Sequence, residues 1–256
     1  MSQQPVSHSQ VKPAIPYLDV LLRIREDMRS RKTGPYLYIG MPDVDRVRCF
    51  GDGYGECLHS LGIKSGPDVL FGDWLHDVKK ASPGEGWEKA YLKEFQGDQD
   101  RALLKFLDFV AEFRALSPEA LAAIPWHYGG EHPAATVPSL IPAHPPRPTL
   151  DILLEVRREI GDVLGRLSLF IGYIEVKRMA GFIAGYRLCL ALVGARDEEY
   201  PRFERWLQEE KGLPPGQDWT LPLLQASQGD AEQAIRQLLA YAAEFRSQAR
   251  NAPGEA

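Results

Sequence analysis

The sequence contains an internal duplication, and this feature constrains the fold more than any other. At an offset of 132 residues, residues 19–116 align with residues 151–248 without a gap, and about thirty of the 98 aligned positions are identical. Chance matching at ordinary residue usage gives only roughly one identity in fifteen to twenty positions. A repeat of this length indicates one structural unit present twice.

The duplication divides the chain into five segments. The two copies are predicted to cover residues 17–116 and 149–249, with flexible ends at residues 1–16 and 250–256. Residues 117–148 lie between the copies and contain eight of the 20 prolines of the chain. Proline removes backbone donors and favours extended runs, so this segment is predicted to be a semi-rigid linker.

Each copy is predicted to fold into four to five helices. Apolar residues recur at helical spacing, and no two-residue alternation typical of strands persists. Gly-Asp pairs at Asp98 and Asp230 are predicted to cap the last helix of each copy, which ends near Arg114 or Arg246. The apolar runs 37–40 and 169–172 are predicted to be extended. In the first copy, the first three helices are predicted at 17–29, 44–61 and 68–80, and Trp87 opens the fourth. In the second copy, they are predicted at 149–164, 174–193 and 199–211, and Trp219 opens the fourth.

The predicted fold class is therefore all-α, with two tandem duplicated helical domains packed together through helix two. In the second copy this helix is apolar nearly all round, because Ala184, Leu188 and Ala191 replace the polar residues of the first copy. A helix that is apolar on every side must be covered on every side. Docking against the other copy is favoured over a subunit interface.

The replaced residues of the first copy, Asp52, Glu56 and His59, share one face of helix two. Glu56-x-x-His59 and Asp73-x-x-His76 both have the carboxylate–histidine spacing found in dinuclear metal bundles. The stronger interpretation is that Asp73 and His76 point towards water, because their neighbours define the apolar face of helix three. No cofactor or metal is therefore predicted, and a metal site at these four residues is the alternative.

Composition excludes several classes of function. The formal net charge of −5, with 35 acidic and 30 basic residues, gives no basic stripe for nucleic-acid binding. The sequence holds no nucleophile elbow, phosphate-binding loop or metalloprotease motif, so it is not predicted to be an enzyme. Three cysteines, of which Cys57 and Cys189 occupy matching buried positions, fit a cytoplasmic protein without disulfides. No segment is predicted to cross a membrane.

Two further groups are candidates for binding a partner. The linker carries Trp126 and Tyr128, which either anchor it on a domain or form a binding strip. Asp197, Glu198 and Glu199 form an acidic cluster, which is either a solvated helix face or a complement to a basic partner.

The motifs Gly34-Pro-Tyr-Leu-Tyr-Ile-Gly40 and Phe182-Ile-Ala-Gly-Tyr186 resemble those of a family of small bacterial helical proteins. Members of that family often read Arg-Pro-x-Met-Tyr-Leu-Gly followed by Phe-Leu-x-Gly-Tyr. The second copy departs from the first motif, since Val163-Leu-Gly-Arg-Leu-Ser stands in its place. The resemblance implies an immunity protein or antitoxin that neutralises a polymorphic toxin.

The expected function is thus non-catalytic binding of a protein partner, a cognate toxin, in the cytoplasm, with a homodimer possible. The alternatives are a metal-dependent helical enzyme and a homo-oligomeric scaffold. The candidate contact residues are Asp52, Glu56, His59, Asp73, His76, Trp126, Tyr128, Asp197, Glu198 and Glu199.

Overall fold

The computed structural model describes most of the chain: residues 12–30, 38–64, 66–81, 84, 86–136, 139–161, 163–215 and 218–251. The predicted flexible ends lie largely outside the described residues. Residues 34–37 of the first motif lie outside them as well.

The described residues form α-helices and short 3₁₀ and π turns, with no strand among them, which confirms the all-α class. The first half contains α1 (Tyr17–Ser30), α2 (Val44–Ser60), α3 (Leu70–Asp73), α4 (Trp87–Glu94) and α5 (Gln99–Arg114). The linker contains α6 (Pro118–Ala122). The second half contains α7 (Thr149–Ile160), α8 (Ser168–Ile171), α9 (Val176–Leu192), α10 (Glu199–Lys211), α11 (Thr220–Ala226) and α12 (Ala231–Asn251).

Side-chain caps fix several of these helix starts. The Asp43 carboxylate accepts hydrogen bonds from the backbone N–H groups of Asp45 and Arg46 at 3.0 and 3.2 Å and so begins α2. Asp98 accepts from the backbone of Arg101 at 3.0 Å, and Asp230 accepts in the same way at the start of α12. The predicted caps at Asp98 and Asp230 are therefore confirmed.

The predicted single helix over residues 68–80 is wrong. A 3₁₀ turn (Gly66–Val69) leads into α3, and a π turn (Trp74–Val78) follows it, in which the Lys79 N–H donates to the carbonyl of Trp74, five residues earlier. Trp74 and Leu75 are both buried in this segment, as are Trp206 and Leu207 at the aligned positions. The equivalent segment of the second half, α10, is one regular helix as predicted.

Two other predicted segments differ from the structure. Helix α7 ends at Ile160 rather than near residue 164, because Gly161 takes φ +48° and ψ −141°, a conformation that only glycine adopts readily. Residues 169–172 were predicted to be extended, yet they lie largely in the single helical turn of α8. A short apolar run does not by itself distinguish a helical turn from an extended segment.

Helices α2 and α9 cross at the centre of the molecule and make the most extensive helix–helix contact in the described structure. The bounds of these two helices differ by 132 residues at both ends. Their buried side chains belong to one hydrophobic cluster that continues into both halves of the chain. The apolar face of α9 is thus covered mainly by α2.

The crossing brings the two helix backbones into direct contact. A Cβ atom on Gly53 would lie 1.9 Å from the carbonyl oxygen of Phe182, and one on Gly185 would lie 2.0 Å from that of Phe50. A Cβ on Gly181 would lie 2.2 Å from the Arg46 carbonyl oxygen. No side chain fits at these distances, so the crossing requires glycine at all three positions.

Tyrosine hydroxyls of α2 and α9 form hydrogen bonds with the segments that precede α1 and α7. Tyr54 of α2 donates to the Ile15 carbonyl at 2.7 Å, and Tyr186 of α9 donates to the Arg147 carbonyl at 3.0 Å. Both acceptors precede the first helix of their own repeat. None of the helices in the described part of the chain combines the length and the apolarity that a membrane crossing requires.

We expect Gly185→Ala to lower the free energy of unfolding by about 3 kcal/mol or more, because the added methyl group would push α9 away from α2. Urea denaturation measures the change. Gly55→Ala is the matched control: it lies on α2 with no atom within 4 Å of its Cβ position, so the substitution should stabilise by roughly 0.5–1 kcal/mol. Equal effects of the two substitutions would contradict the close crossing.

Candidate functional site

Two clefts flank the α2–α9 crossing. The first cleft, of about 860 Å³, is lined by Tyr17, Asp52, Asp68, Trp87, Glu88 and Arg178, among others. The second cleft, of about 390 Å³, is lined by Arg46, Ile183, Tyr200, Glu204, Asp218 and Trp219, among others. Most residues of one cleft differ by 132 from a residue of the other, so they occupy equivalent positions in the two repeats.

Each cleft contains a buried arginine, Arg178 of α9 in the first cleft and Arg46 of α2 in the second. Arg178 donates through Nη1 to the carbonyl of Ile171 at 3.2 Å, and Arg46 donates through Nη1 to that of Ile39 at 3.4 Å. Each arginine pairs with a carboxylate of the opposite half of the chain. Arg178 binds Asp45 at 2.7 Å and Glu88 at 2.6 Å, and Arg46 binds Asp218.

Glu88 is the most unusual group of the first cleft. It stands in the first turn of α4 and is only 3% exposed. Its Oε1 atom accepts from Arg178, whereas its Oε2 atom is buried and has no hydrogen-bond donor among the described residues. A buried carboxylate oxygen without a donor is costly, since it has lost its water without a replacement. The Glu88–Arg178 pair is therefore only partly satisfied within the chain.

We expect Arg178→Met to lower the free energy of unfolding by about 3–5 kcal/mol, because it leaves the Glu88 carboxylate buried without its cation. The double substitution Arg178→Met/Glu88→Leu should cost less than Arg178→Met alone, since it removes both buried charges. A urea double-mutant cycle measures this coupling.

The control for that cycle is Arg187→Met, since the Arg187–Glu204 pair lies at 3.4 Å with both side chains more than a third exposed. Loss of this pair should cost at most about 1 kcal/mol. Additive losses at positions 88 and 178 would contradict a coupled buried pair.

Asp52 and Glu56 lie where α2 faces α7, and they line a groove together with Glu155 and Glu159. This acidic groove has an apolar floor that includes Phe182, and among the described residues that line it none is basic. Asp52 also reaches the first cleft and pairs with Arg48 at 2.9 Å. Burial raises the pKa of the Asp52 carboxyl above its ordinary value, and the adjacent Arg48 opposes the rise. The groove combines residues of both repeats.

The four residues of the alternative metal site do not form one. No group of three or more histidine, cysteine, aspartate or glutamate side chains in the described structure is close enough to hold a metal ion. His59 is exposed, and His76 is exposed and contacts Asp77 at 2.8 Å. Asp73, expected to point towards water, has one buried oxygen without a donor among the described residues. The prediction that Asp73 points towards water is therefore wrong for one of its two carboxylate oxygens.

The linker aromatics make different contacts from each other. Trp126 packs partly buried against the core and donates through Nε1 to the Gly129 carbonyl at 2.8 Å. Tyr128 is 74% exposed, and its ring centroid is 4.9 Å from that of Trp126. Between them, His127 contacts Asp77 at 2.7 Å. Trp126 thus anchors the linker, while Tyr128 stays free for contact.

Two members of the acidic cluster are bonded within the chain. Asp197 accepts hydrogen bonds from the backbone and hydroxyl of Thr149 at the start of α7. Glu199 pairs with Arg246 of α12. Only the Glu198 side chain is largely exposed, at 78%. The cluster therefore serves mainly to join α7, α10 and α12.

The sequence reasoning missed an exposed apolar surface next to the acidic groove. Leu164 and Leu169 are 78% and 80% exposed, and Val163 and Tyr173 are 50% and 45% exposed. We call residues 163–173 the apolar segment; residue 162 lies outside the described residues. The sequence signal for this surface is Val163-Leu-Gly-Arg-Leu-Ser, which stands in the second copy in place of the first motif.

All three cysteines are buried, as predicted for Cys57 and Cys189. Burial raises the pKa of the Cys49 thiol to about 12, so this thiol stays protonated near neutral pH. Cys49 donates weakly to the Ile171 carbonyl at 3.4 Å. These residues behave as small core side chains.

Comparison with known proteins gives no family for this chain: no family model matches it, and no curated protein or solved structure matches it either. The motif residues that the structure describes make contacts within the core instead. Ile39 accepts from Arg46, Gly185 lies at the helix crossing, and Tyr186 bonds the segment before α7.

Proposed function

We propose that this chain is a non-catalytic binding protein that neutralises a cognate bacterial toxin by covering it in the cytoplasm. The observation that carries the proposal is the acidic groove beside the apolar segment. Leu169 belongs to both, because it lines the groove and is 80% exposed. Exposed apolar side chains that border a charged groove are typical of protein-binding sites.

Charge determines the kind of partner that fits. Glu56 and Glu159 have no ion-pair partner among the described residues, while Glu155 pairs with Arg147 at 2.5 Å. A partner that presents lysine or arginine side chains around an apolar centre would complement this groove. Opposite charges accelerate association and make it sensitive to salt. The inference that the partner is a toxin rests on the motif resemblance alone.

The proposal gives the two repeats different roles. We infer that they are equivalent tandem units joined at α2 and α9, and that the contact surface combines both. Asp52 and Glu56 come from the first repeat, whereas Glu159 and Leu169 come from the second. In the second repeat, Ala184 and Leu188 stand at the positions of Asp52 and Glu56. Both are apolar, so this face of helix two carries charges only in the first repeat.

We expect Leu169→Glu, and separately Glu56→Lys/Glu159→Lys, to weaken partner binding at least about tenfold, because central apolar anchors and complementary charges dominate such interfaces. The partner is first captured from the native host with the wild-type chain and identified by mass spectrometry. Biolayer interferometry at low and moderate salt then measures each affinity. Leu221→Glu is the control, since Leu221 is 56% exposed on α11, outside the groove.

Neutralisation is tested separately from binding. The captured protein is expressed alone and together with wild-type chain or the Leu169→Glu variant. Growth arrest by the partner, relieved by the wild type and not by the variant, supports the proposal. A partner that is harmless alone contradicts the immunity role, and self-association through Leu169 in light scattering would instead favour the oligomeric scaffold.

A further inference from the structure

The first cleft is kept open where the second cleft is filled. Small residues line the first, and larger side chains stand at the positions 132 residues later. The replaced pairs are Gly51 and Ile183, Gly72 and Glu204, and Gly86 and Asp218. The first cleft, of about 860 Å³, is accordingly larger than the second cleft, of about 390 Å³. Both volumes lie in the size range of small-molecule sites, and the first cleft has about twice the space of the second.

The charged groups of the first cleft carry an excess of negative charge. Arg48 pairs with Asp52, Arg178 pairs with both Asp45 and Glu88, and Asp68 pairs with Arg114, which also contacts Asp19. Of these groups, three carboxylates (Asp52, Asp68 and Glu88) and two guanidinium groups (Arg48 and Arg178) line the cleft itself. Burial raises the pKa of the Asp68 carboxyl, as it does for Asp52.

Glu88 is a carboxylate of this cleft with an unsatisfied oxygen atom. Its carboxylate is buried in the wall of the cleft, and its Oε2 atom accepts from no donor among the described residues. Gly86 leaves room for it, since a Cβ there would lie 2.9 Å from Oε2. A buried carboxylate oxygen of this kind is satisfied by an N–H donor, and a cationic donor gives the stronger bond.

Aromatic rings form much of the remaining wall. Tyr17, Phe71, Trp87 and Tyr173 all line the first cleft. Trp87 is held in place by stacking on Phe106, with ring centroids 3.9 Å apart and an interplanar angle of 8°. Aromatic faces attract ammonium groups through their quadrupole and pack against apolar ligand bodies.

We propose that the first cleft binds a small organic ammonium ligand, an aromatic primary amine whose N–H groups donate to Glu88 while its ring packs against Trp87. The first cleft shares Asp52 with the acidic groove, but Glu88 and Trp87, the proposed ligand contacts, lie outside the groove, and the proposal does not depend on the protein partner. The second cleft, with Ile183, Tyr200 and Glu204 filling the equivalent space, does not take the ligand.

Isothermal titration calorimetry of the full chain with phenethylamine and tryptamine tests the proposal. Phenethyl alcohol and phenylacetate are the neutral and anionic probes of similar shape. The amines should bind with one site per chain and at least tenfold more tightly than either control probe. No amine binding up to millimolar concentration, or equal or tighter binding of phenylacetate, would overturn the proposal.

Two variants locate the site. Glu88→Gln should weaken phenethylamine binding at least tenfold, with folding checked by circular dichroism. Gly72→Gln keeps both Glu88 and Arg178, and the Cβ position of Gly72 is open, with no atom within 4 Å; its side chain should fill the cleft as Glu204 does in the second. It should abolish binding, whereas the same change at Gly55, outside this cleft, should not. Undiminished binding in Gly72→Gln would overturn the assignment even if Glu88→Gln failed to fold.

Discussion

The direct backbone contact between α2 and α9 is the constraint on which the other features of this structure depend. Glycine at positions 53, 181 and 185 brings carbonyl oxygens of one helix to within 2.2 Å of the Cβ positions of the other. At this separation the two helices share their neighbours, so both repeats contribute to one hydrophobic cluster. The buried arginines of each helix then reach carboxylates of the opposite repeat. A chain that folded as two separate units would leave these charges unpaired.

The same crossing explains why the two repeats could diverge in different places. The core positions at the crossing are held by glycine, phenylalanine and tyrosine in both copies, whereas the surrounding faces are free to change. On one side, Asp52 and Glu56 keep the groove with α7 acidic, while Ala184 and Leu188 make the equivalent face apolar. In the clefts, Gly51 and Gly72 leave space that Ile183 and Glu204 occupy. The two aligned halves of the sequence thus present two unequal faces.

The sequence predicts the helical class, the caps at Asp98 and Asp230 and most helix bounds, because these depend on local spacing and on residues close in the chain. It does not predict the π turn at Trp74–Val78, since the aligned residues of the second half, with the same apolar spacing at Trp206 and Leu207, form a regular helix. Glu88 and Arg178 are 90 residues apart, so no local pattern signals their ion pair. Exposed Leu169 was missed for a related reason: apolar residues are assigned to the core unless tertiary structure shows otherwise.

The two halves of the chain form one cooperative unit through the α2–α9 crossing. Native-state hydrogen exchange under increasing urea, read by mass spectrometry on peptides from each helix, tests it most directly. We expect amides in the middle of α2 and of α9 to exchange with the same free energy of opening and the same urea dependence, at the level of global unfolding. Exchange of α2 together with α1 and α5 at a lower free energy, while α9 stays protected, would contradict it.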